Sequence, residues 1–149
     1  MNSVTLVRRI AARPSIVFEA LTTEDGMTSW WGPDDIPVVS ATADVREGGH
    51  FRVRFRSWDS LEHECTGQFL EISKPERIVM SWQIIFGGYP SERERVSRLE
   101  LHLRSIDTGT ELTLIHAELH DELSAQCHTR GWTGSLEKFM REFAETHTA

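Results

Sequence analysis

The sequence predicts an α+β fold: a curved antiparallel sheet of about six or seven strands wrapped around a long C-terminal helix, with two short helices after the first strand. Three observations carry this. First, apolar and polar residues alternate, most plainly as Phe51, Val53 and Phe55 against Arg52, Arg54 and Arg56. Period-two alternation marks a strand with one buried and one wet face. Second, turn signals separate such runs at Gly48-Gly49, Lys74-Pro75-Glu76, Gly87-Gly88-Tyr89-Pro90-Ser91 and Asp107-Thr108-Gly109. These connections are too short for crossovers, so consecutive strands pair antiparallel. Third, from Asp121 onward the period turns helical, and Trp132, Leu136, Phe139 and Phe143 form one apolar stripe with Met140 beside it.

The elements follow in order. Residues 3–12 include the β-branched Val4, Thr5, Val7 and Ile10, alternate in part and read as a strand. Arg13-Pro14 ends it, because the residue before proline avoids helical dihedrals, and Pro14 suits the first turn of a helix. Residues 14–22 then place Val17, Phe18 and Leu21 on one helical face. A second short helix is expected over 24–31, stopped by Gly32-Pro33, and a strand near Val38–Val45. Residues 61–72 put Leu61, His63, Cys65, Gly67 and Phe69 on one face and Glu62, Glu64, Thr66 and Gln68 on the other. Paired as a hairpin with residues 51–56, they set the arginine row against the glutamates, at ~0.2–1 kcal/mol per pair. Ile78, Met80, Trp82, Ile84 and Phe86 share a phase, as do Leu99, Leu101 and Leu103, then Leu112, Leu114 and His116. Gly131 and Gly134 interrupt the last helix at a cost of roughly 1 kcal/mol each against Ala. Close approach of the helix backbone to the sheet is the expected reason. A strongly curved sheet cannot touch a straight helix along its whole length, so a pocket is expected between them.

A chain of 149 residues reads as a single domain spanning 1–149. The formal charge is −7, from 16 basic and 23 acidic residues, which lacks the electrostatic footprint of a nucleic-acid binder. The Ser91-Glu92-Arg93-Glu94-Arg95 run mixes signs and reads as a solvated hairpin, with a rim of the cavity as the alternative. No apolar run approaches a membrane span, and the first residues do not form a signal-peptide core. Cys65 and Cys127 lie far apart without a CxxC pair, so reduced thiols and a cytoplasmic location are expected.

Several words along the chain resemble the activator of heat-shock-protein-90 ATPase homologue family, part of the START-like, helix-grip superfamily called SRPBCC. They are Arg13-Pro14 with Val17-Phe18 and Ala20-Leu21, then Trp30-Trp31-Gly32-Pro33, then Asp44-Val45-Arg46-Glu47-Gly48-Gly49. Gly67, Pro75 with the strand through Trp82, Thr110 to Leu114 with His116, and Gly131-Trp132 with Leu136 and Phe139 complete the series. The resemblance implies the helix-grip fold and an internal cavity, but no single activity: members of the superfamily carry lipids, hormones or aromatic ligands, and others are enzymes. The family's namesake has a separate domain ahead of this module. Here the first strand begins by residue 4, so chaperone-ATPase activation is not expected.

The candidate ligand-binding residues are Trp30, Trp31, Phe51, Val53, Phe55, His63, Cys65, Phe69, Trp82, Leu101, His116, Trp132, Leu136 and Phe139. Trp30 and Trp31 either cap a cavity mouth or close the core. His63 and His116 fall on the apolar parity of their strands, where each is either a satisfied core histidine or an anchor or proton carrier. Cys65 beside His63 offers a nucleophile without a visible third group. The His and Cys spacings match no structural zinc pattern, so no metal is expected, and no cofactor. The expected function is binding of a small hydrophobic or aromatic molecule between sheet and helix. The alternatives are an enzyme using the same cavity for cyclase- or hydrolase-like acid/base chemistry and a protein-interaction or co-chaperone-like module, with a homodimer as one form.

Overall fold

The computed structural model describes residues 2–32, 36–56, 62–86 and 95–148, and their side chains except Phe86 and residues 144–148. The predicted turn at 87–91, most of the mixed-charge run at 91–95, Pro33 and Leu61 lie outside the described residues.

Strand β1 (Asn2–Ile10) leads into helices α1 (Pro14–Thr22) and α2 (Glu24–Trp30), followed by β2 (Val38–Ala43), β3 (His50–Arg56), β4 (Glu62–Ser73), β5 (Arg77–Phe86), β6 (Val96–Ile106) and β7 (Gly109–Leu119), then α3 (Glu122–Thr148). The seven strands form one curved antiparallel sheet in the order β1-β7-β6-β5-β4-β3-β2. Strands β1 and β2 are therefore the two edges, and α1 and α2 carry the chain between them.

Local chemistry sets the boundaries. Pro14 occupies the first turn of α1, behind an extended Arg13. Thr23 caps α2, its hydroxyl accepting from the Gly26 amide at 3.0 Å. Asp121 caps α3 in the same way, its Oδ1 accepting from the Ser124 amide at 2.8 Å. Gly32, at φ +97°, turns the chain out of α2. A Cβ there would lie 2.4 Å from the Ile36 carbonyl oxygen, so only glycine fits.

The β3–β4 hairpin has the expected register, with Phe51 opposite Gly67, Val53 opposite Cys65 and Phe55 opposite His63. On the outer face Arg54 meets Glu64 at 2.9 Å and Glu62 at 3.7 Å, while Arg52 also reaches Glu64 at 3.7 Å. Glu64 is buried beneath these guanidinium groups. Between β1 and β7 the register slips: Asn2 faces Leu119 while Val4 faces His116. One extra residue thus sits in β7, and Glu118 there adopts φ +61°. That is a β-bulge with a non-glycine residue in the left-handed region.

The concave side buries Leu99, Leu101, Leu112 and Leu114 from the sheet, Val17, Phe18 and Leu21 from α1, and Trp132, Leu136 and Phe139 from α3. The explanation expected for Gly131 does not hold. A Cβ built on it meets no atom within 4 Å, so this glycine borders open space rather than a close backbone approach.

Candidate functional site

Aromatic volume decides where space remains between sheet and helix. Trp30 and Trp31 are fully buried and stand edge-on to each other at 5.9 Å. Trp30 packs on Phe139 at 5.1 Å and on Trp132 at 5.9 Å. Trp31 packs on Phe51 at 5.4 Å and on Trp82 at 5.5 Å. Rings 4.5–7 Å apart at such angles are favourable aromatic contacts. They occupy the middle of the sheet–helix junction, with Val53, Cys65, Phe69, Leu101 and Leu136 buried in the same core. Trp30 and Trp31 therefore close the core. Their indole N–H groups, like that of Trp82, are buried and without a hydrogen-bond partner among the described residues.

Open volume lies toward the end of the sheet where β5 and β7 finish, β6 begins and α3 starts. A cleft of about 400 Å³ there has Trp82, Ile84, Val96 and Leu119 as its apolar wall. Its polar wall comes from Asn2, Arg95, Ser97, Glu118, His120, Ser124 and His128. The bulge at Glu118 delivers Leu119 and His120 to this cleft, which fits the tendency of bulges to re-aim side chains beside sites. A second, smaller cleft of about 130 Å³ is bounded by Gly32, Ile36, Phe55, Gly131 and Ser135, with Trp82 and Trp132. Trp82 lines both.

His116 stands just behind the larger cleft, fully buried. Trp132 Nε1–H donates to its Nδ1 at 3.0 Å. Its Nε2 must then carry the proton, and that N–H donates to Ser97 Oγ at 2.7 Å. Ser97 in turn donates to the Trp82 carbonyl at 3.4 Å. Burial, reinforced by the neighbouring His128, holds the His116 pKa well below its ordinary value. This imidazole is neutral with both nitrogens occupied. His128, with its ring 4.5 Å from His116, is half-buried and donates from Nδ1 to the Ser124 carbonyl at 2.8 Å. Its Nε2 has no hydrogen-bond partner among the described residues, and the ring lines the larger cleft.

Of the residues singled out from sequence, Trp82 lines both clefts, and Phe55 and Trp132 line the smaller one. His63 is half-buried opposite Phe55 and is itself engaged by the protein. Cys65 is sealed in, and burial raises its pKa well above the ordinary thiol value, which leaves it protonated and a poor nucleophile. Arg95, whose run had a cavity rim as its alternative reading, lines the larger cleft, whereas sequence reasoning missed Ser97, Ser124 and His128 as lining residues. Two signals for them existed: Ser97 shares the parity of Leu99 and Leu101, and Ser124 and His128 extend the Trp132 stripe backward in steps of four. No cluster of three or more metal-ligating side chains occurs among the described residues, and no described helix is long and apolar enough to cross a membrane.

Comparison with known proteins places this geometry. No curated protein matches the chain. Among solved structures, the AHSA1 protein of Silicibacter pomeroyi is 24% identical and superposes with a TM-score of 0.82, over 97% of this chain and 99% of that one. A protein of Chromobacterium violaceum is 22% identical with a TM-score of 0.81, over 95% and 96% of the two chains. One from Nitrosomonas europaea is 18% identical with a TM-score of 0.80, over 99% and 97%. At these identities the likeness is one of fold, the helix-grip arrangement. The sequence itself matches the Activator of Hsp90 ATPase homolog 1-like protein family over residues 11–144, and the chain belongs to that family.

Proposed function

We propose that the protein is a cytoplasmic binding protein for a small, mostly apolar molecule with one polar end, held in the larger cleft between the sheet and the start of α3. The observation that carries this reading is the composition of the cleft: about 400 Å³ with an apolar wall on one side and His128 on the other. Pockets of roughly this size and character are where small ligands bind. The ligand's flat or branched body lies against Trp82, Ile84 and Val96. Its polar end meets His128 Nε2 and the Arg95 and Ser124 side of the wall. Two free cysteines accord with a reducing compartment. The reading needs no second chain, because both walls come from one.

The acid/base alternative loses its best carrier here. A general base needs a nitrogen in reach of substrate, and both nitrogens of His116 are bonded within the core.

The test is native mass spectrometry of freshly purified protein, followed by titration with 8-anilinonaphthalene-1-sulfonate, a probe with an aromatic body and an anionic end. Saturable binding of one probe is expected, weakened at least tenfold by Val96→Trp, which places a large ring on the exposed rim of the cleft. Wild-type protein that carries no retained small molecule and shows no saturable probe binding overturns the reading.

A further inference from the structure

The smaller cleft has a feature that packing does not explain. Gly131 lies inside α3, where glycine is the poorest helix former after proline. Glycine in such a place is ordinarily required by a left-handed φ or by a crowding neighbour. Neither holds: Gly131 has no positive φ, and its Cβ would meet nothing within 4 Å. Gly131 lines the cleft of about 130 Å³, and the space beside its Cα is open.

The chemistry of that cleft is narrow. Phe55, Ile36, Trp82 and Trp132 give it apolar walls. Its polar side chains are largely spent on the protein. Ser135 Oγ accepts from the Gly32 amide at 2.9 Å and donates to the Gly131 carbonyl at 2.9 Å. Trp132 Nε1 is given to His116. A dry apolar cavity of about 150 Å³ is enough to hold a benzene molecule.

We propose that Gly131 is a specificity-determining residue, kept free of a side chain so that the smaller cleft admits an apolar group the size of a single benzene ring. This rests on the ligand-binding reading above and adds to it the shape of one end of the ligand. Trp82, common to both clefts, is the wall that a ring seated here and a body seated in the larger cleft share.

The experiment uses fluorobenzene as the probe, followed by its own fluorine NMR signal, on the whole chain and on Gly131→Ala and Gly131→Leu. Wild type is expected to broaden the signal in a saturable way. Gly131→Ala should weaken binding about fivefold, and Gly131→Leu should abolish it. The thermal midpoint of Gly131→Ala should not fall, because the helix gains a better former and the added Cβ meets no atom within 4 Å. Gly131→Ala also secures the result if leucine disturbs the fold. Equal binding by wild type and both variants overturns the proposal. So does wild type that binds the anilinonaphthalene sulfonate but not fluorobenzene, and in both cases the larger-cleft reading stands. Wild type that binds neither probe overturns both.

Discussion

Trp132 Nε1 lies 3.0 Å from His116 Nδ1, and that bond decides where the proton of His116 resides. An indole N–H only donates, so Nδ1 must accept, and Nε2–H is left to donate to Ser97. Charging the imidazole would put a second proton on Nδ1, against the Trp132 donor and in a desolvated setting beside His128.

The sign of the resulting pH dependence follows. An unfolded histidine titrates near ~6.5, and burial first, then His128, depresses the folded value well below that. Above about pH 7 neither state binds the proton, and the stabilisation is fully present. As pH falls below about 6.5 the unfolded chain takes up a proton that the folded one refuses. Stability then drops by up to ~1.4 kcal/mol per pH unit until the folded pKa is reached. His116→Gln can still accept from Trp132 and donate to Ser97 but cannot titrate. Urea midpoints between pH 6.5 and 5 should fall less steeply for H116Q than for wild type, and parallel slopes would refute the assignment.

Gly67 should be among the least replaceable residues of the sheet. A Cβ there would sit 1.9 Å from the Ser81 carbonyl oxygen and 2.5 Å from the Phe51 ring. The first contact is backbone and cannot swing away. Gly67→Ala is expected to cost about 3 kcal/mol or more, the upper range for overpacking, seen as a large loss of urea midpoint or as insoluble protein. A loss under about 1 kcal/mol would show that the strand shifts freely.

Glu118 offers the reverse case. Its left-handed backbone costs a residue with a Cβ about 1–2 kcal/mol, and its side chain is exposed. Glu118→Gly is expected to raise stability by about 0.5–1 kcal/mol after the extra chain entropy of glycine is counted. Thermal and urea unfolding would read this directly. A decrease would mean that the glutamate side chain does more for the bulge than its strain costs.

The strands and both short helices were legible because alternation and turn residues act locally. Phe51, Val53 and Phe55 lie in β3 as read, and α1 spans Pro14–Thr22 as read. The place of the open volume was not legible, because it depends on how rings from distant segments fill space. Trp30 and Trp132 are neighbours only through the fold, and their bulk occupies the junction that curvature alone would leave empty. Ser124 and His128 were overlooked because a stripe was sought among apolar residues. The Glu118 bulge carries no signal at all, since glutamate has no preference for that conformation.

The aromatic cluster draws its rings from chain segments on either side of the sheet, with Trp30 and Trp31 ahead of β2 and Trp132 and Phe139 after β7. During synthesis, a nascent chain that has emerged only as far as β7 therefore presents half of that cluster to water. Every strand can be out of the ribosome while the domain still lacks the surface that seals it. Until α3 follows, the emerging polypeptide keeps exposed an apolar surface that the folded domain hides.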